Sequence, residues 1–437
     1  MTDTPLILAL HDNSPELYEI ITTLLKDPNC IVGHVNSHGD TALLLSIQFD
    51  KIEIALEIIQ TGKSNPSHVD SHGNTALTLA LQKKYTDICI ALIQTQDYNP
   101  SHVNTHGDTC FTLAIRSEFE DISSLIMVNP LININHIDEH GDSPLSLSIH
   151  YGLKNVSRYL IKHTDCFLNH IDDQCDTCFI KAIDLLQEDI ALQLIRTGRI
   201  NTSFINAHGT TALIIAIQKE MSEVALEIIK CGNCFPNFIG NTGDTALIMA
   251  FNNNNYDVVE ALLQEDCNIG HSNENKDTAL FFAINSGKED LCQRIIQNPN
   301  CNLENINLDG NTALILALSN GLVNLSKNII QMASPAQIGH VNKYGDTALL
   351  LSITYGYFDI TEMLVDTGYS NPKHVNNNGD TALLLCILNE QFHIVRKLIL
   401  NTDCNINYKN KNVGTALDFA LSKKYNDIVI LITDHGI

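Results

Sequence analysis

One turn-and-cap sequence, Gly-Asp-Thr-Ala-Leu in its commonest form, returns at a nearly fixed interval along the whole chain. Anchored on its hydroxyl residue, it falls at Thr41, Thr75, Thr109, Ser143, Thr177, Thr211, Thr245, Thr278, Thr312, Thr347, Thr381 and Thr415. Successive anchors are 34 residues apart, except for a gap of 33 before Thr278 and one of 35 before Thr347. A variant at Asp3–Leu6 adds a first, irregular anchor at Thr4. A period of this length marks supersecondary units that cannot bury their apolar stripes alone and must stack on their neighbours. Thirteen repeats account for the 437 residues and leave no room for a separate catalytic domain. We therefore expect one array: an irregular capping unit over 1–33, regular repeats over 34–403 and a C-terminal capping unit over 404–437.

Each repeat reads alike. The glycine two places before the anchor, as in Gly39 and Gly73, marks a turn that needs positive φ. The anchor is a helix N-cap, its hydroxyl placed to accept from a first-turn N–H. The acid before it (Asp40, Asp108, Asp244, Asp380) lies near the positive end of the helix dipole. A short helix follows, with Leu43, Leu45 and Ile47 around a small Ser46; equivalent small residues are Ala80, Ala114, Ser148, Cys386 and Ala420. A second helix carries apolar pairs one turn apart, such as Ile54/Ala55 and Ile58/Ile59.

This order of turn, cap, short helix, paired apolar helix and loop resembles the ankyrin repeat, over essentially the whole chain. Pro5 and Pro144 keep the family's proline after the cap, whereas most repeats have alanine there. The family's histidine three residues after the cap is replaced by Leu44, Thr78 and Ile214. The resemblance implies an all-α solenoid of about 13 helix-turn-helix units with short β-hairpin loops. It also implies a non-catalytic scaffold or adaptor that binds a protein on its concave face. The array carries no other domain, is low in proline and is rich in Asn and Ile. In that it is similar to the ankyrin proteins of giant DNA viruses or intracellular bacteria, which would make the partner a host protein.

Composition narrows the alternatives. With 26 Lys plus Arg against 50 Asp plus Glu, the formal charge is −24. That balance argues against nucleic-acid phosphates and anionic lipid surfaces, which need counter-charge. The start lacks a charged-then-apolar leader, and no stretch approaches the roughly 20 apolar residues that span a bilayer. Thirteen cysteines without a compact framework suit a reducing compartment. The expectation is a soluble, cytoplasmic protein, in the host cytoplasm or nucleus if the chain is viral or bacterial in origin.

Two constellations could carry chemistry. His34/His38, His68/His72, His102/His106 and His136/His140 each have the spacing of a helical zinc pair. They precede the cap, however, so four extended residues separate them by about 13 Å, and side chains in adjacent repeats start roughly 8–10 Å apart. Neither spacing suits an ion whose ligands sit about 2.1 Å away. Phe204, Phe238 and Tyr408 take the slot of the first histidine in other repeats, so we read it as a filler of the hairpin base. Cys30, Cys166, Cys234, Cys267, Cys301 and Cys404 form a column of small residues eleven places before the anchor, with Ser64 and Ser370 elsewhere in it. The Cys175/Cys178 and Cys231/Cys234 pairs are the remaining metal candidates. A metal-binding module through these columns and a self-associating structural protein are the alternatives to partner binding. No phosphate loop, nucleophile elbow or metalloprotease motif is present, so no enzyme activity and no cofactor are expected.

If register is structure, specificity lies where the repeats vary. In proteins this chain resembles, contacts come from the turn tips and the end of the first helix. Those positions are rich in rings in repeats 2 to 5 (His38, Phe49, His72, His106, His140, His150 and Tyr151) and again in repeat 11 (Tyr344 and Tyr355). Aromatic residues are common interface anchors. Asp176, Asp184 and the overall charge point to a partner with basic residues. Four irregularities, Cys175 and Lys276 at turn-glycine positions, Lys181 in a leucine column and the Asn252–Asn255 run, suggest a bend or weak joint within 170–285.

Overall fold

A computed structural model describes residues 3–11 and 16–436. Among them are 27 helices, two for each of the thirteen repeats plus a short helix, Pro335–Ile338. That helix lies in the one repeat that runs to 35 residues, so the additional residue is absorbed after the second helix. The first helix of a repeat is typically seven residues, as in Ala42–Gln48, and the second nine or ten, as in Ile52–Gln60. One two-stranded ladder pairs Lys409–Asn410 with Gly414–Thr415. The expected hairpins elsewhere reduce to single antiparallel bridges such as Val35↔Thr41 and Ile171↔Thr177.

The anchors act as caps. Thr41 keeps an extended backbone while its hydroxyl accepts from the Leu44 N–H at 3.2 Å. In repeats 3, 4, 5 and 13 the N3 side chain (Thr78, Thr112, Ser146, Asp418) bonds back, completing a capping box. Thr278 departs from the expectation. Its hydroxyl is buried and makes no cap bond, because the Phe281 N–H donates instead to the Thr278 carbonyl, tightening the first turn. Between the helices the chain reverses through a left-handed residue nine places after the anchor. This is glycine in four repeats but Asp50, Glu118 or Leu186, with φ near +60°, in others.

The chain divides into two compact blocks, residues 1–234 and 235–437, and the division falls inside the 170–285 stretch. Within each block first helices pack on first helices of the next repeat, and second helices mostly do likewise. The seam is continuous: Leu43, Leu44, Leu45, Ser46 and Ile47 are all buried, as are Ile54, Ala55, Ile58 and Ile59. Phe111, Phe179 and Phe281 are the largest side chains fully enclosed. Small residues five places after the anchor sit at closest approach, and two such serines gain partners from the second helix: Ser148 with Ser157 at 2.8 Å and Ser352 with Thr361 at 3.0 Å.

Candidate functional site

The hairpin tips, side by side along each block, hold the densest polar chemistry. Eleven of the twelve tips in repeats 2 to 13 are built on an Asn or Asp five places before the anchor; repeat 8 has Gly240 there. In repeat 2 the Asn36 side-chain oxygen accepts from the backbone N–H groups of His38 (2.9 Å) and Asp40 (2.8 Å), closing the turn around Gly39. Stacking is close enough that a Cβ on Gly141 would lie 2.9 Å from the Asp173 nitrogen. Cys175 and Lys276, which replace this glycine, take the same left-handed conformation, with φ of 60° and 59°.

Adjacent tips are tied by two rows of bonds. In the first, the histidine seven places before the anchor donates from Nε2 to the turn carbonyl of the preceding repeat. His68 reaches Gly39, His102 reaches Gly73, His136 reaches Gly107 and His170 reaches Gly141, all at 2.7–2.8 Å. In the second block His271, His340 and His374 repeat this, and Asn305 does it through an amide to Lys276. These histidines are thus more than fillers, which corrects the sequence reading. Each satisfies a carbonyl and sets the stacking distance. His34 has no acceptor among the described residues; the corresponding backbone position, residue 2, lies outside them.

The second row joins the acid one place before an anchor to the Asn or Asp five places before the next. Where that partner is Asn, its Nδ2 in most repeats donates to the acid or to an Asn in the acid's place, whereas the buried Nδ2 of Asn104, opposite Asn74, has no partner among the described residues. Asn206 reaches Asp176 (3.0 Å), Asn273 reaches Asp244 (3.0 Å), Asn307 reaches Asp277 (3.1 Å), Asn342 reaches Asn311 (3.0 Å) and Asn410 reaches Asp380 (3.1 Å). Where it is Asp, two carboxylates meet. Such pairs are Asp40/Asp70, Asp108/Asp138 and Asp142/Asp172. The second is bridged by Arg116, which pairs with the buried Asp138 through Nη2 and lies 3.3 Å from Asp108 through Nε. The third is bridged by Lys181, 2.9 Å from Asp142 and 2.6 Å from Asp172. Lys181 is therefore no irregularity of the leucine column. It is the counter-ion of an acid pair made of the buried Asp172 and the half-buried Asp142, and is itself only 11% exposed.

The protonation balance follows. At Lys181 burial acts against the charge, but the hydrogen bonds it donates to Asp172 and Asp142 outweigh it and raise the pKa. Burial pushes Asp138 up, yet the Asp142 backbone N–H and Arg116 hold it below the usual carboxylate range. Asp108 is pushed up by burial, with Asp138 adding to it and Arg116 and Thr112 opposing.

These ion pairs floor a cleft of about 380 Å³ lined by Arg116, His140, Asp142, Leu147, His150, Tyr151, Asp172, Asp173, Gln174 and Lys181. Three of the rings expected at the surface, His140, His150 and Tyr151, come together here, with His150 edge-on to Tyr151 at 4.9 Å. Phe49 is exposed and packs edge-on against His11 at 5.4 Å. His38, His72 and His106 are exposed at successive tips, separate from the cleft lining. Tyr344 and Tyr355 are exposed in the second block, the latter 5.9 Å from Tyr357. The row that the sequence reading missed is the Asn/Asp column itself, which a search for positions dominated by those two residues would have found, Gly240 being its one exception.

All thirteen cysteines are free thiols. Burial pushes those of Cys89 and Cys110 up to about 12, which favours the protonated thiol. Among the described residues no three His, Cys, Asp or Glu side chains gather as a metal-binding group. No helix among them is long and apolar enough to cross a membrane.

Comparison with known proteins follows the same lines. A family model described as "Ankyrin repeats (3 copies)" matches in overlapping segments 179–273, 213–305, 265–334, 280–374 and 320–410, together more than half of the chain. Among solved structures, the ankyrin repeat protein EF0377 is 22% identical, with a TM-score of 0.37, over 43% of this chain and 95% of its own. The ankyrin repeat domain of Bcl-3 is 20% identical, with a TM-score of 0.39, over 51% of this chain and 99% of its own. No curated protein sequence matches. With its repeats, caps and stacked helix pairs in register, the chain belongs to the ankyrin-repeat family.

Proposed function

We propose that this chain is a non-catalytic scaffold or adaptor that captures a protein through the tips and first-helix ends of repeats 2 to 6, on the concave face of a single array. Ankyrin repeats are in general protein-interaction modules. The observation that carries the finer reading is the cleft of repeats 4 to 6. Ring side chains stand at its mouth, while its charged floor is occupied by ion pairs of the chain itself. Rings that keep one face open to solvent while the floor is already paired favour contact with a complementary surface over turnover of a small substrate. Acids outnumber cations in the lining, so a segment bearing Lys or Arg is the complementary partner. We place this activity in the cytoplasm, with a host protein as target if the chain comes from a virus or an intracellular bacterium.

The test is affinity capture from lysate with wild type and with Phe49→Ala/Tyr151→Ala. The double variant should lose the captured protein while its thermal unfolding stays nearly unchanged. Retention of the same protein by the variant would refute the ring patch as the binding surface.

A further inference from the structure

The three tip-to-tip pairs made of two carboxylates are not treated alike. Asp108/Asp138 holds a guanidinium, from Arg116 seven places after its anchor. Asp142/Asp172 holds an ammonium, from Lys181 four places after its anchor. At Asp40/Asp70 the equivalent positions are Gln48 and Leu79, so the chain supplies no cation from either. No side chain among the described residues donates a hydrogen bond to the Asp40 carboxylate. Lys83, the first-helix cap of repeat 3, is engaged by the Gln48 carbonyl at 2.9 Å and by Asp50. The groups that bear on Asp40 are Asp70 and the rings of His72, His38 and His11. Burial, then Asp70, push its carboxyl up, and the three histidines oppose them.

Twice in this molecule, then, the same two-carboxylate constellation is filled by a cationic side chain, and once it is open. His11, which packs on the exposed Phe49, is one of the groups that act on Asp40. We infer that Asp40 and Asp70 form a socket for an arginine side chain of the bound protein, the guanidinium taking the place that Arg116 takes two repeats on. This deepens the reading of repeats 2 to 6 as the binding face and rests on it. The planar guanidinium matches two facing carboxylates better than a point-charge ammonium does. The formal charge of −24 draws a basic segment toward it.

The socket can be closed from within. Gln48→Arg places a guanidinium where Arg116 stands in repeat 4, and Asp70→Asn restores the amide link found at Asp176/Asn206. The probe is N-acetyl-arginine amide, titrated into the full chain while the side-chain carboxylate ¹³C resonances of Asp40 and Asp70 are followed. In wild type both should shift along a saturating curve, and in Gln48→Arg they should stay flat. If Gln48→Arg does not fold, Asp70→Asn should likewise flatten the Asp40 response. Shifts that rise linearly with the probe, no larger than at the exposed Asp50, or equal in wild type and closed variants, would overturn the socket. Capture from lysate reads the ring patch separately. Capture retained by Phe49→Ala/Tyr151→Ala together with a saturating probe response would overturn the ring patch and leave the socket standing.

Discussion

Repeats 4 to 6 and repeats 8 to 13 solve one stacking problem with different chemistry. In the later repeats an Asn amide donates to the carboxylate or amide oxygen of the tip before it, as Asn273 does to Asp244 and Asn307 to Asp277. In the earlier ones an Asp stands where the amide would be, and a cation from a first helix is threaded between two acids. The geometry of the tip is unchanged, because either side chain can accept the two backbone N–H groups that close the turn. What changes is the sensitivity. An amide bond to a carboxylate is worth about 1.5–3 kcal/mol and tolerates loss locally. A buried charge pair adds little net stability while intact and is costly to break.

The largest effect should come from removing a threaded cation. Lys181→Leu restores the residue type of the column but strands Asp142 and Asp172, the latter with only 3% of its side chain exposed. It should cost about 3–5 kcal/mol, read as lost amide protection in repeats 5 and 6. Next, Asn273→Asp should convert an amide-to-carboxylate link of the second block into an open acid pair with Asp244. We expect a loss of about 1–3 kcal/mol at neutral pH, largely recovered on mild acidification; a loss independent of pH would show that charge is not the cause.

Acidity separates the pairs without mutation. Asp40 has a raised pKa in the folded chain, so its ionised form costs stability at neutral pH. That cost is relieved as pH falls through the raised value toward the ordinary one. Asp138 is lowered, so its contribution is present above the ordinary carboxylate pKa and is lost only as pH falls through the lower folded value. Hydrogen exchange should therefore show repeats 2 and 3 gaining protection on mild acidification, while the link between repeats 4 and 5 holds until stronger acid. The smallest effect belongs to the turns. Cys175→Gly and Lys276→Gly should each stabilise by about 0.5–1 kcal/mol, because left-handed backbone is strained for residues with a Cβ. No change in unfolding midpoint would mean the turns are relaxed by other contacts.

Much of this architecture was legible in the chain. The period, the Thr caps and the turn glycines are local signals, each tied to a bond or a φ angle within a few residues. The links between tips were not, because their partners lie about thirty residues apart and a scan of one repeat sees only one end. Lys181 looked like a defect in a leucine column until Asp142 and Asp172 were seen on either side of it. The tip histidines looked like fillers because Phe204 and Phe238 replace them, yet every one present except His34 reaches the neighbouring turn. The left-handed residue between the helices was hidden for a different reason. Glycine marks it in only four repeats, and Asp50 or Leu186 give no such sign. Rings of the proposed binding face were legible as residues but not as a cleft, since the space between His140 and Tyr151 depends on how two tips pack.

The claim that amide and threaded cation are interchangeable solutions is tested most directly by one pair of variants. Lys181→Leu and Lys181→Leu/Asp172→Asn should be compared by hydrogen exchange across repeats 5 and 6. The double variant recreates the Asn-to-Asp link of the later repeats, so protection lost in the single variant should return to near the wild-type level. If the double variant stays as exposed as the single one, the Asn link cannot replace the ion pair, and the account of the two regions is wrong.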